Sequence, residues 1–302
     1  YYEVKKVYQR IKVSPVNLED GLIRISNLYN FKNLSDFILK WTILEDGSPI
    51  KNGTLEPISL CGGENMELRF DFANVAFKKN REYHLNVEFF LREDTLWCDK
   101  GYRLAFEQFE ISDAAPKIIH SAEDANFTET DSEFIASGSG FKIAVSKTGG
   151  SITCLDYGRG NLLSSPLTPN YWRAFTDNDL GYANFRPKLE RLLSYPVKRW
   201  RKATDKRKVN SVKLVEKNGS RSIEILQAVP FCAGKVKTIY RVEGNGKLLV
   251  RHEICPKHDM LRIGFSMALK SDYNKFTWFG RGPHENYCDR KWGSPVGIYS
   301  LN

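Results

Sequence analysis

The sequence predicts an all-β protein made of two successive antiparallel sandwich-type regions. Three observations carry this. Apolar residues recur with a period of two over most of the chain, Gly, Asn and Asp punctuate the alternation at short intervals, and helical periodicity is weak. At 302 residues the chain is long enough for one large domain or two ordinary ones. Aliphatic, aromatic and cysteine residues make up 41% of it, sufficient for real cores.

The first region is expected over residues 1–112. Phe37, Leu39, Trp41 and Ile43 fall on one face of a strand. Met66, Leu68, Phe70 and Phe72 alternate with Glu67, Arg69 and Asp71, and Tyr83, Leu85, Val87, Phe89 and Leu91 alternate with mostly polar residues. Strands with one wet face belong to antiparallel sheets. Turn signals follow at EDGSP (45–49), KNGT (51–54) and CGGEN (61–65). Short strands at this spacing read as a β-sandwich of roughly 100 residues. Trp41 stands mid-strand, where immunoglobulin-like sandwiches place a core tryptophan, although no disulfide pair flanks it.

Residues 113–130, DAAPKIIHSAEDANFTET, are polar and small and break the alternation, so a linker is expected there. The second region then covers 131–302. FKIAVSKTGGSIT (141–153) reads as strand, Gly-Gly turn and strand, and VKLVEKNGSRSIEIL (212–226) as a hairpin around Asn218-Gly219. Another hairpin is expected at 236–254 around Gly244-Asn245-Gly246, and Leu261, Ile263, Phe265, Met267 and Leu269 alternate after it. LERLLS at 189–194 reads as one short helical turn.

Composition excludes several classes. No apolar run approaches the roughly 18–20 residues that span a bilayer. The opening YYEVKKVYQR lacks the apolar stretch of a secretory signal, which leaves export open because a processed chain has lost its leader. The net charge of +9 is partly local, in KRWRKATDKRK at 198–208. A solvated loop or protected edge strand accounts for that run better than a polyanion site, because no nucleic-acid-binding motif accompanies it. Cys61, Cys98, Cys154, Cys232, Cys255 and Cys288 are widely and irregularly spaced, so free and mostly buried thiols are expected. HEICPKH at 252–258 suggests a metal site only superficially, since His252 and Cys255 diverge on a strand. No P-loop, GxGxxG or GxSxG occurs.

Two segments combine aromatics, charges and special-backbone residues: NYWRAFTDNDLGYANFRP at 170–187 and WFGRGPHENYCDRKWGSPVG at 278–297. One reading is structural. Loop Asp and Asn bond their own backbone, and Arg173 or Arg281 pairs with a loop carboxylate. The other is functional. Carboxylates, amides and Arg bond vicinal hydroxyls while Trp and Tyr faces stack on a pyranose. The candidate substrate-binding residues are then Trp172, Arg173, Asp177, Asn178, Asp179, Arg281, His284, Glu285 and Asn286. Asp177, Asn178 and Asp179 also carry the oxygen donors that Ca or Mg takes.

WFGRGPHENYCDRK closely resembles the Gly-Arg-Gly-Pro-His-Glu-Asn-Tyr-Pro-Asp-Arg signature of family 2 β-galactosidases, and YWRAFTDNDLG resembles their Trp-Arg-Ala-Pro-Thr-Asp-Asn-Asp segment. FLREDTLWCDKGYRLAFEQFEI at 90–111 looks like the end of the sandwich domain that follows their catalytic barrel, and YYEVKKVYQRIKV looks like the exit from it. The resemblance runs along essentially the whole chain. Cys288 and Phe175 stand where the family usually has Pro, which changes loop stiffness more than chemistry.

The resemblance implies an immunoglobulin-like sandwich, the family's fourth domain, followed by a truncated supersandwich of galactose mutarotase-like type. In the family the chain continues past this segment, and a tryptophan of that later stretch reaches the active site, so no such role passes to Trp278 or Trp292. The whole enzyme would hydrolyse terminal β-D-galactosides with retention, through two barrel glutamates about 5–5.5 Å apart. The acid/base glutamate follows an asparagine in the family, and this chain has no Asn-Glu dipeptide. No catalytic residue is therefore expected here. These residues would serve as scaffold, cleft edge or oligomer contact, with the barrel and a second copy as partners and no nucleic acid or membrane. No cofactor is expected in this stretch; the resemblance implies Mg or Na for the whole enzyme. It also implies a bacterial-type protein of cytoplasm or periplasm. The alternatives are a stand-alone carbohydrate-binding module and a mutarotase-like epimerase using His284 and Glu285 as acid and base.

Overall fold

The computed structural model describes the chain apart from residues 73–74, 112–122, 175 and 177–199. The chain divides into two compact units, Tyr1–Ile118 with Asn274–Asn302, and Ile119–Tyr273. All strand pairings within the named sheets are antiparallel.

The first unit opens with a short helix, α1 (Tyr2–Tyr8). Strands β1 (Ile11–Asn17), β2 (Leu22–Asn27), β3 (Phe37–Glu45), β4 (Ser48–Leu55), β5 (Asn65–Arg69), β6 (Tyr83–Leu91) and β7 (Arg103–Glu110) follow. They form two sheets, β1-β2-β5 and β4-β3-β6-β7. Ile11, Ile23 and Ile25 of the first and Leu39, Ile43, Leu85 and Val87 of the second share one core, which makes the pair a sandwich. Each such side chain contributes about 1.5–3 kcal/mol on burial. Trp41 is buried there against Phe70, with ring centroids 5.3 Å apart. Asp46 (φ 47°) and Gly47 (φ 79°) make the tight β3–β4 turn expected from EDGSP.

Two local expectations are corrected. KNGT is no turn: Asn52 and Gly53 lie inside β4, opposite Thr42 and Trp41. Gly53 is needed for packing, because a Cβ there would stand 2.6 Å from the Trp41 indole nitrogen. The sequence reading also contains no helix at the N-terminus. In α1 the polar Lys6 is buried while Tyr1, Val4, Val7 and Tyr8 along and beside it are exposed, so the usual apolar stripe is inverted. Lys6 forms an ion pair of 2.6 Å with Glu107 and donates to the Phe106 carbonyl.

The second unit holds β8 (Asn126–Glu129), β9 (Glu133–Gly138), β10 (Phe141–Ser146), β11 (Ile152–Asp156), β12 (Leu163–Asn170), β13 (Lys208–Lys217), β14 (Ser220–Ala228), β15 (Val236–Val242), β16 (Leu248–Glu253) and β17 (Gly264–Leu269). One sheet runs β17-β12-β11-β10-β9-β8 and the other β13-β14-β15-β16. Ile143, Val145 and Ile152 of one meet Ile223, Ile225 and Val242 of the other in a common core. Asn218 (φ 53°) and Gly219 (φ 73°) close the β13–β14 hairpin as expected. Residues 126–129, read from sequence as linker, instead form edge strand β8, paired with β9. The alternation in 261–269 does form a strand, yet Met267 and Leu269 of β17 are exposed. The helical turn expected at 189–194 lies outside the described residues.

Residues 274–302, which the sequence reading places with the second region, fold onto the first unit as a hairpin of β18 (Phe276–Arg281) and β19 (Val296–Leu301). Phe279 and Ile298 lie so close to Gly47 that a Cβ there would meet them at 2.9 and 3.0 Å. The six cysteines are free, as expected, but none is buried: Cys61, Cys255 and Cys288 are exposed and the others half-buried. Cys98 and Cys232 pack at the edges of two core clusters without being enclosed by them. No helix among the described residues is long and apolar enough to cross a membrane.

Candidate functional site

The first candidate segment leaves the end of β12. The Asn170 side-chain oxygen accepts from the Trp172 N–H at 3.0 Å, an Asx turn that ends the strand. Tyr171 between them is fully buried. Its hydroxyl lies 3.0 Å from His252 Nε2, and His252 Nδ1 lies 2.8 Å from the Thr238 hydroxyl. Thr238 and His252 are directly opposite on β15 and β16, so sheet register sets this chain of three groups. Burial pushes the Tyr171 phenol well above its ordinary range and holds the His252 imidazole below its own. Tyr171 also packs on Trp200, whose indole N–H donates to the Asp259 carbonyl at 2.9 Å. Trp200, inside the basic run, is thus a buried anchor in a small core with Val229 and Val236.

Trp172 packs half-buried against this small core. Arg173 donates to the Ala174 carbonyl at 2.9 Å. Asp177, Asn178 and Asp179, and with them the Ca or Mg reading, lie outside the described residues, as does Phe175. The segment therefore presents Trp172 and Arg173 from a rigid base. His252 has both ring nitrogens within hydrogen-bond distance of hydroxyls, which leaves no ring lone pair for the metal reading of HEICPKH. Among the described residues no cluster of three or more His, Cys, Asp or Glu side chains has metal-binding geometry.

The second segment belongs to the first unit and is described on its own. Arg281 at the end of β18 donates to the carbonyls of Lys291 (3.2 Å) and Ser294 (3.1 Å), closing the loop on itself. The Gly282–Pro283 peptide is cis. A Cβ at Gly282 would stand 2.6 Å from the Tyr299 ring, so the close approach of the two strands requires glycine. The His284 ring stacks on Tyr2, with centroids 3.3 Å apart. Glu285 pairs with Arg290 at 3.0 Å, and Asn286 reaches the His284 carbonyl at 3.4 Å. Arg281 and Glu285 are exposed, while His284 and Asn286 are half-buried.

Two pins hold this loop to the unit. Glu3 accepts from the N–H groups of Trp292 (3.2 Å) and Gly293 (2.7 Å). Gln108 exchanges two hydrogen bonds with Val296. Sequence reasoning missed Glu3, Gln108 and the Tyr171–His252–Thr238 chain. Each acts through a partner far away in sequence, and a polar residue on a strand gives no signal of such a partner.

Residues 137–302 match the family described as β-galactosidase small chain, and residues 23–112 match β-galactosidase domain 4. The first of these matches extends through the hairpin that packs on the first unit. A β-galactosidase of Priestia megaterium is 28% identical over 98% of this chain and 28% of its own length. One from Clostridium acetobutylicum is 29% identical over 98% of this chain and 32% of its own length. One from Lactobacillus delbrueckii subsp. bulgaricus is 26% identical over 98% and 28%. The chain thus spans about three tenths of the length of these curated relatives. Both domain matches fall in chain order on the two β-sandwich regions, and the chain belongs to the β-galactosidase family, whose C-terminal region it matches.

Proposed function

We propose that the chain is the C-terminal part of a longer enzyme that hydrolyses terminal β-D-galactosides, and that it contributes scaffold and cleft edge rather than the reacting groups. The match of two successive family domains over 23–112 and 137–302 is the observation that carries this reading. Retaining glycoside hydrolysis needs two carboxyl groups about 5–5.5 Å apart across the scissile bond. The described sheets are antiparallel, and an eight-fold parallel barrel to hold such a pair is no part of them. The catalytic barrel would be supplied by residues outside this stretch, as would any Mg or Na the whole enzyme uses.

Trp172 and Arg173 are the described residues best suited to the cleft edge. They stand beside the buried Tyr171–His252 anchor, which restricts their motion. An indole face and a guanidinium suit a pyranose ring and its hydroxyls. The mutarotase-like alternative gains no support from His284 and Glu285, since His284 is stacked on Tyr2 and Glu285 is paired with Arg290. The test is steady-state kinetics of the whole enzyme on lactose and a chromogenic β-galactoside, with Trp172→Ala as the variant. The reading expects β-galactosidase activity and a raised KM in the variant. An active enzyme with no preference for galactosides would overturn it.

A further inference from the structure

Helix α1 turns its apolar side chains away from the core of its own unit. Tyr1, Val4, Val7 and Tyr8 follow the three- and four-residue spacing of one helical face, and all four are exposed. The opposite face is polar and clamped to β7. Lys5 donates to the Arg103 carbonyl at 2.6 Å, and Lys6 pairs with Glu107. Gln9 donates to the Glu107 carboxylate at 2.9 Å and accepts from the Phe106 N–H at 3.2 Å. These bonds fix which way the helix faces, so the apolar stripe is held outward by built contacts.

The stripe continues onto two loops of the same unit. The Tyr1 hydroxyl lies 3.3 Å from that of Tyr102, and Tyr102 packs edge-on against Trp97 with ring centroids 5.9 Å apart. Trp97 is exposed, and its neighbour Leu96 fully so. On the other flank the Leu28 N–H donates to the Arg10 carbonyl at 2.8 Å, which sets Leu28 and the fully exposed Phe31 beside the end of the helix. A hollow of about 380 Å3 opens there between Arg10, Leu28, Tyr29 and Phe31. Lys32 borders this hollow and a second one that reaches Thr95, next to Leu96, so the surface runs on from the helix through both loops. Its large apolar side chains expose an area on the order of 1,000 Å2, against roughly 300–600 Å2 for the largest patch on a typical monomer and roughly 800 Å2 given by one partner to a specific interface.

The position of Tyr1 selects the occupant. Tyr1 lies within this surface, and a residue joined to its N–H sits about 3.8 Å away between Cα atoms. With α1 clamped, a chain leading into Tyr1 arrives on the surface without slack. The chain covers 28% and 32% of the length of the Priestia megaterium and Clostridium acetobutylicum relatives, so a longer enzyme of this kind has ample protein to cover it. A domain tethered this closely meets the surface at a millimolar effective concentration, which a free second copy does not reach.

We propose that this surface seats the protein domain that leads into Tyr1 in the longer enzyme, with Tyr1, Val4 and Tyr8 of α1 and Phe31, Leu96 and Trp97 of the loops packed against an apolar face of that domain. The proposal rests on the reading that the chain is the C-terminal part of such an enzyme. Helix α1 then works as a two-sided clamp: its lysine side grips β7, its tyrosine side grips the domain before it, and the first sandwich is held in one orientation against the catalytic part.

Hydrogen exchange read by mass spectrometry is compared between the 302-residue chain and the whole enzyme. Amides of 2–10, 28–32 and 95–98 should exchange at least about tenfold more slowly in the whole enzyme, with β3 and β6 alike in both. Phe31→Asp with Leu96→Asp, both at fully exposed positions, should leave the Tm of the 302-residue chain unchanged and remove most of that protection in the whole enzyme. If the pair disturbs folding, the comparison of the unmodified proteins decides. Equal exchange in the two proteins, or protection that survives the paired substitution, would overturn the proposal. Protection that vanishes when the whole enzyme is diluted to single protomers would assign the surface to a second copy and overturn it too. The readout needs a folded enzyme and not turnover, so a whole enzyme that is protected here but inactive on galactosides would sink only the hydrolytic reading.

Discussion

Gln108 and Val296 are joined by two hydrogen bonds although 188 positions separate them. The Gln108 amide donates to the Val296 carbonyl at 2.8 Å and accepts from its N–H at 2.6 Å. One side chain thus completes the backbone pairing of a hairpin strand on the face of β7. Gln108→Ala should destabilise the first unit by about 1–3 kcal/mol. It should also speed amide hydrogen exchange across 276–301 more than across β3 or β6. Uniform exchange in the variant would show that the hairpin is held by other contacts.

The buried ion pair between Lys6 and Glu107 makes a second prediction. Lys6 is 7% exposed and its partner 19%. Burial lowers the Lys6 pKa, and the Glu107 carboxylate opposes that fall. Removing one partner leaves a buried charge uncompensated, so Glu107→Leu should cost about 3–5 kcal/mol. Lys6→Met with Glu107→Leu should cost much less. Urea unfolding of the single and double variants measures the difference; equal losses would mean that the charges are already solvated.

Packing at Trp41 makes a third. Gly53→Val would drive side-chain atoms into the indole and should cost about 1–3 kcal/mol, read as a fall in Tm. Trp41→Phe in the same background should recover part of it. No recovery would place the clash elsewhere.

Stability should also depend on pH through His84 and His252. Burial lowers the pKa of both below the ordinary histidine value of about 6.5, with Arg281 adding to the effect at His84. The unfolded chain therefore takes up protons first. The contribution of each histidine is complete above pH 6.5 and is lost as pH falls below it toward the folded values, by at most about 1.4 kcal/mol per pH unit. His252→Gln should flatten the decline in urea midpoint between pH 7 and 5. An unchanged slope would remove His252 from the account.

The fold was legible wherever a strand has one wet face. Phe37, Leu39 and Ile43, or Leu85, Val87 and Phe89, declare their sheet by alternation alone, and Asp46-Gly47 and Asn218-Gly219 declare their turns by needing positive φ. Asn52-Gly53 misled for a physical reason: glycine there makes room for Trp41, a contact from another strand. α1 was hidden because its apolar side chains point outward. At the candidate site the local clusters were visible, but their partners were not. Nothing near Tyr171 in sequence announces His252, and nothing near Arg281 announces that its hydrogen bonds go to Lys291 and Ser294.

The central claim is that the carboxylates which cleave the glycoside lie outside these residues. Its most direct test is an assay of the 302-residue chain, purified from a host without β-galactosidase, on a chromogenic β-D-galactoside. The account predicts a rate indistinguishable from buffer for a chain shown to be folded by circular dichroism. Sustained release of the chromophore that co-elutes with the pure chain, and scales with its concentration, would contradict it.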